Sequence, residues 1–144
     1  MEKLSSHVVR TCDVIGKKII GTNEETLGSV NEIVLDKING QVRYAVLSYG
    51  GFMGVWSEFY AIPWTALNYC IEDDSFKVSF GKEDLKVAPG FNKDNWPDFA
   101  DAIWSKSTSD FYNHFIHPTS PMVNEQKEFI SEGGNSQNLK NPDL

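Results

Sequence analysis

The stretch Ser48–Trp64, SYGGFMGVWSEFYAIPW, decides the fold. It holds three glycines, five aromatic side chains ahead of its closing Trp64, and a single charge, Glu58. A glycine cluster of this kind invites comparison with a phosphate-binding loop. No Lys-Ser/Thr pair follows Gly50-Gly51-Phe52-Met53-Gly54, and no helical pattern follows to offer its N-terminus to an anion. The glycines therefore read as a sharp connection between two strands. On the N-terminal side, QVRYAVLSYG alternates cleanly. Val42, Tyr44, Val46 and Ser48 fall on one face, and Arg43, Ala45, Leu47 and Tyr49 on the other. Both faces carry apolar groups, the pattern of a central strand covered on both sides. On the C-terminal side, VWSEFYAIP reads as a further strand stopped by Pro63.

Working outward, short strands separated by turns continue in both directions. VIGKKIIGT is rich in β-branched residues and ends at the polar cluster NEE. In TLGSVNEIVLD the apolar spacing shifts between two and three, which places a bulge or bend near Gly28-Ser29. Asn39-Gly40 is the strongest hairpin signal in the chain. NYCIE and FKVSF complete a set of six strands, and GKEDLKVA reads as a short helix. Six short strands over about 70 residues predict a mainly β fold, a small closed six-stranded barrel that leaves no free sheet edge. The expected organisation is a lead-in over residues 1–13, the barrel over 14–88, an aromatic helical arm over 89–117 and a disordered acidic and polar tail over 118–144. In the arm, Pro97 suits the first turn of a helix, and Phe99, Ile103 and Trp104 recur at helical spacing.

The 144 residues suit one domain. A net charge of −7 with no basic cluster argues against nucleic acid as a partner. No run approaches the apolar length of a membrane span, and no signal-peptide pattern opens the chain, so a cytoplasmic protein is expected. Cys12 and Cys70 then read as reduced thiols, Cys70 buried within a strand.

The ordered set of Gly28, Val30, Asp36, Gly40, Tyr44, Gly50-Gly51-Phe52, Pro63-Trp64 and Leu67 resembles the PRC-barrel family. That family is named for the cytoplasmic domain of the photosynthetic reaction-centre H subunit, and it includes the C-terminal domain of a ribosome-maturation factor. LKVAPGFNKDNWPDFADAIW resembles the extension of stand-alone bacterial members, so the likeness runs from residue 14 to about 112. The chain departs from the family pattern at Trp56-Ser57-Glu58, where a small residue and a charged pair are usual. The resemblance implies the barrel fold. It also implies adaptor and assembly roles, docking on a ribosomal protein or supporting a membrane complex from its cytoplasmic side, without catalysis.

Two functional classes are compatible with these residues. The first is a non-enzymatic protein-interaction module that self-associates, as a homodimer, and holds a protein partner, with peripheral attachment to a membrane complex as one setting. Its candidate surface is the hinge Gly50, Gly51, Phe52, Met53 and Trp56, with Phe91, Trp96, Phe99 and Trp104 packing the arm. The alternative is a small-ligand binder or enzyme that uses the barrel mouth, with Tyr44, Tyr49, Glu58 and Tyr60 as polar groups. No cofactor and no metal are expected. Asp110, His114 and His117 have helical spacing but lack a further nitrogen or sulfur ligand. Asp36, Glu58, Asp98 and Asp101 are catalytic candidates by residue type alone.

Overall fold

A computed structural model of the chain describes residues 7–50 and 58–116. A single helical turn, α1 (Thr11–Val14), leads into β1 (Lys18–Ile20). After a 3-10 turn come β2 (Thr26–Leu35), β3 (Val42–Tyr49) and β4 (Glu58–Pro63). The 3-10 turn Trp64–Ala66 leads to β5 (Asn68–Cys70) and β6 (Ser75–Lys77), followed by α2 (Lys82–Leu85) and the long helix α3 (Ala102–Ile116). All six expected strands form, in one sheet of order β4-β3-β2-β1-β6-β5. Only the β1–β6 pair is parallel.

The β2–β3 hairpin shows how local chemistry sets the sheet. Its loop is closed between Asp36 and Gln41, whose backbone groups bond at 2.8 Å, and is wider than a two-residue turn at Asn39-Gly40. Asp36 Oδ1 accepts the N–H groups of Ile38 and Asn39, and Gly40 takes a φ of 78°. The bulge expected at Gly28-Ser29 lies on either side of that pair. Leu27 has no opposite number on β1, and Asn31 has none on β3. These extra residues reset the alternation, so Leu27, Val30 and Ile33 all reach the inner core despite their three-residue spacing. Gly28 is required for a different reason: a Cβ there would lie 2.0 Å from the Ser48 carbonyl oxygen.

Both faces of β3 and β4 are buried, as the alternation of β3 predicts. Ala45, Leu47, Tyr60 and Ile62 join Ile19, Val30, Phe76, Phe80 and Leu85 in the inner core. Tyr44, Val46, Phe59 and Ala61 face outward into a second cluster with Phe91, Phe99 and Trp104. The segment after α2 thus crosses the outside of the sheet. At its start Phe59 and Phe91 exchange two backbone hydrogen bonds of 2.8 and 2.9 Å, which occupy part of the β4 edge.

Two expectations are corrected. The sheet is not closed into a barrel: among the described residues no ladder joins β4 to β5. Pro63 has no N–H, and the 3-10 turn after it breaks the strand before β5 begins. Helix α3 lies against β4 and that turn, and its Tyr112 enters the inner core beside Phe80 at a ring distance of 5.4 Å. The second correction concerns the arm. Its helix starts at Ala102, five residues beyond Pro97. Asp101 is the N-cap: its Oδ2 accepts the Trp104 N–H at 2.9 Å, and its carbonyl accepts the Ser105 N–H. Asp98 instead folds the preceding loop by accepting the Ala100 N–H.

Candidate functional site

The four residues expected at the barrel mouth separate into two groups. Tyr49 and Glu58 are direct cross-strand partners, and Tyr60 stands two residues along β4 on the same face as Glu58. The Tyr60 hydroxyl donates to Glu58 Oε1 at 2.8 Å, and the Tyr49 ring meets Tyr60 edge-on at 6.0 Å. Burial, and then the bond to Glu58, push the Tyr60 phenol well above its ordinary range. It stays protonated and acts as a donor. Tyr44 is on the opposite face, against Phe99 and Trp104, with its hydroxyl 3.4 Å from Ser105 Oγ. Strand parity enforces this division, because positions 44 and 49 have opposite sense along β3.

Beside Glu58 and Tyr60 lies an open cleft of about 320 Å³, completed by Lys86, Gly90, Asn92 and Asn95. Gly90 makes room for it: a Cβ there would come within 2.8 Å of Tyr60 Cε1. Asn92 and Asn95 use their side-chain oxygens to accept backbone N–H groups of Asp94 and Asn92. The cleft is therefore lined by the carboxylate-bearing Glu58, the phenol-bearing Tyr60 and the carboxamide-bearing Asn92 and Asn95, while the Lys86 ammonium pairs with Glu83 at 3.2 Å. Lys86, Gly90, Asn92 and Asn95 were absent from the sequence-derived site. For Gly90, Asn92 and Asn95 the only signal was the Gly- and Asn-rich run PGFNKDN, which reads equally well as an ordinary loop, and for Lys86 there was none.

The interaction residues fare unevenly. Gly50 ends β3 with a φ of 67°, the left-handed backbone expected of the hinge. Gly51, Phe52, Met53 and Trp56 lie outside the described residues. The arm aromatics come together as a chain of ring contacts: Phe91–Trp96 at 5.0 Å, Trp96–Phe99 at 6.2 Å and Phe99–Trp104 at 5.2 Å. Trp96 also touches Phe59, yet keeps 41% of its surface exposed.

The remaining carboxylate candidates serve the backbone. Asp36, Asp98 and Asp101 each hold N–H groups of a turn or helix end. Asp110 pairs with Lys106 at 2.8 Å, and His117 lies outside the described residues. Among the described residues no three His, Cys, Asp or Glu side chains converge on a metal position. Cys12 and Cys70 are free thiols, but Cys70 is only half-buried, and its thiol points to Glu72 and Asp73. No described helix is long and apolar enough to cross a membrane.

With this geometry in view, the PRC-barrel domain family matches residues 7–85, from the lead-in to the last residue of α2. That is more than half of the chain, and the chain belongs to the PRC-barrel domain family. The arm and α3 lie beyond the matched residues. A search of curated proteins finds none that matches this chain.

Proposed function

We propose that this chain is a non-catalytic protein-interaction module of the cytoplasm. It self-associates as a dimer and supports the assembly or regulation of a larger complex. The observation that carries the reading is the outer surface of the arm. One side of its aromatic chain fastens it to β3 and β4. The other side leaves Trp96 41% exposed, and Ile103, in the first turn of α3, is 80% exposed. An aromatic and an aliphatic side chain on a rigid, well-packed support suit a protein interface. The hinge Phe52, Met53 and Trp56 supply a second apolar group for the same purpose. Sedimentation of the wild type against Ile103→Lys tests the arm. A dimer that becomes a folded monomer supports the reading, and identical sedimentation of the two proteins removes the arm from the interface.

A second reading has its own observation, the cleft at Glu58, Tyr60 and Gly90. Its mixed donors and acceptor suit a small polar ligand. Gly90→Ala places a methyl group against the Tyr60 ring and narrows the cleft. A thermal-shift screen over nucleotides, metal ions and common metabolites tests this reading. It predicts a shift in the wild type that Gly90→Ala loses, and a wild type indifferent to every compound counts against it.

A further inference from the structure

The two edges of the sheet are treated differently. The β4 edge is partly occupied by the backbone of Phe91. Among the described residues the β5 edge has no such cover: β5 pairs with β6 alone, and no backbone hydrogen bond joins Asn68–Cys70 to another segment. In an antiparallel pair only alternate residues turn their N–H and C=O toward the neighbour, so the other groups of β5 face outward. Open edges are normally blunted by lysine, proline or a bulge. Asn68-Tyr69-Cys70 carries none of these and its register with β6 is regular, so its shortness, at three residues, is its one protection. Apolar surface accompanies the edge, with Tyr69 51% and Ile71 47% exposed.

Charge indicates what the edge would accept. The turn after β5 carries Glu72, Asp73 and Asp74. Lys77 neutralises Asp73 at 3.4 Å, and Lys17 pairs with Asp74. The Glu72 carboxylate receives the Cys70 thiol, and no cation is within ion-pair reach of it among the described residues. The Glu72 carboxylate and the chain's net charge of −7 are complementary to a basic segment.

We propose that β5 is a docking edge for an extended, basic segment of a protein partner. The segment adds to the sheet as a strand beyond β5, lays apolar side chains against Tyr69 and Ile71, and sets a lysine or arginine against Glu72. This is strand addition, in which main-chain bonds hold the segment and side chains select it. The proposal rests on the reading of the chain as an interaction module and names the partner chemistry of one surface. It is independent of self-association through the arm, which sedimentation reports separately.

The test is a titration of the full-length, 15N-labelled protein with two short synthetic peptides, one alternating valine and lysine, the other valine and glutamate. The proposal expects the basic peptide to shift the amide signals of residues 68–71 and slow their exchange, and the acidic peptide to do neither. Glu72→Lys, at an exposed turn, should weaken the basic peptide about two- to fivefold, the range of an exposed ion pair. Equal response to both peptides, response confined to other residues, or no response to the basic peptide would overturn the proposal. Amide protection at 68–71 that rises with protein concentration alone would overturn it too, since a second copy would then occupy the edge.

Discussion

At the scale of single residues, close approach and turn chemistry dominate. Gly28 lets β2 and β3 pass at a distance that no Cβ tolerates, because the Ser48 carbonyl would sit 2.0 Å from it. The obstructing atom belongs to backbone in the middle of a ladder, so little relaxation is available. Gly28→Ala should therefore cost about 3 kcal/mol or more, at the upper end for overpacking, read from the urea midpoint. Asp36 makes a different prediction. The Ile38 N–H, and then the Asn39 N–H, hold its carboxyl below the ordinary 3.8. A depressed folded value means that the stabilisation is complete above about pH 4. It is lost as pH falls further and the carboxylate is protonated. Amide protection factors around Ile38–Gln41, which divide out the intrinsic pH dependence of exchange, should fall across that acid range in the wild type. Asp36→Asn keeps an acceptor oxygen and should abolish the pH dependence while the hairpin persists.

At the scale of elements, the strands were legible because β3 alternates with apolar groups on both faces, and the structure covers both. The same parity separates Tyr44 from Tyr49 and Tyr60; grouping them by residue type alone overlooked the sidedness of a strand. The start of α3 was misread because Pro97 and Asp101 are both acceptable start signals, and the one that caps a backbone N–H sets the boundary. Sheet closure was not legible at all, since it depends on the path the chain takes in space after Pro63. Phe91 joins the arm to β4, so Phe91→Ala should cost about 3–5 kcal/mol and expose the outer face, with dye binding as a second readout. In α3, the buried hydroxyls of Thr108 and Tyr112 have no hydrogen-bond partner among the described residues. A buried hydroxyl without a partner weakens the fold, and its removal can be neutral or favourable. Tyr112→Phe should therefore match or exceed the wild-type melting temperature, whereas a bonded hydroxyl would make it fall.

At the scale of the whole molecule, one sheet supports two cores, and the segment beyond the matched family residues fastens both. Trp104 near the start of α3 packs on the outer cluster, and Tyr112 two turns later fills the inner one. That construction makes the arm part of the folded unit and a firm platform for Trp96 and Ile103. The candidate site was half legible: Glu58, Tyr49 and Tyr60 do meet, whereas Gly90, Asn92 and Asn95 come from a loop whose position only the fold determines. Of the hinge residues Gly50, Gly51, Phe52, Met53 and Trp56, Gly50 alone is among the described residues. Self-association through the hinge is a property read in solution. Light scattering over a range of concentrations, for the wild type and for the double change Phe52→Ser with Trp56→Ser, measures it most directly. The account predicts a dimer that the double change converts into a folded monomer. A wild type that stays monomeric at every concentration would contradict it.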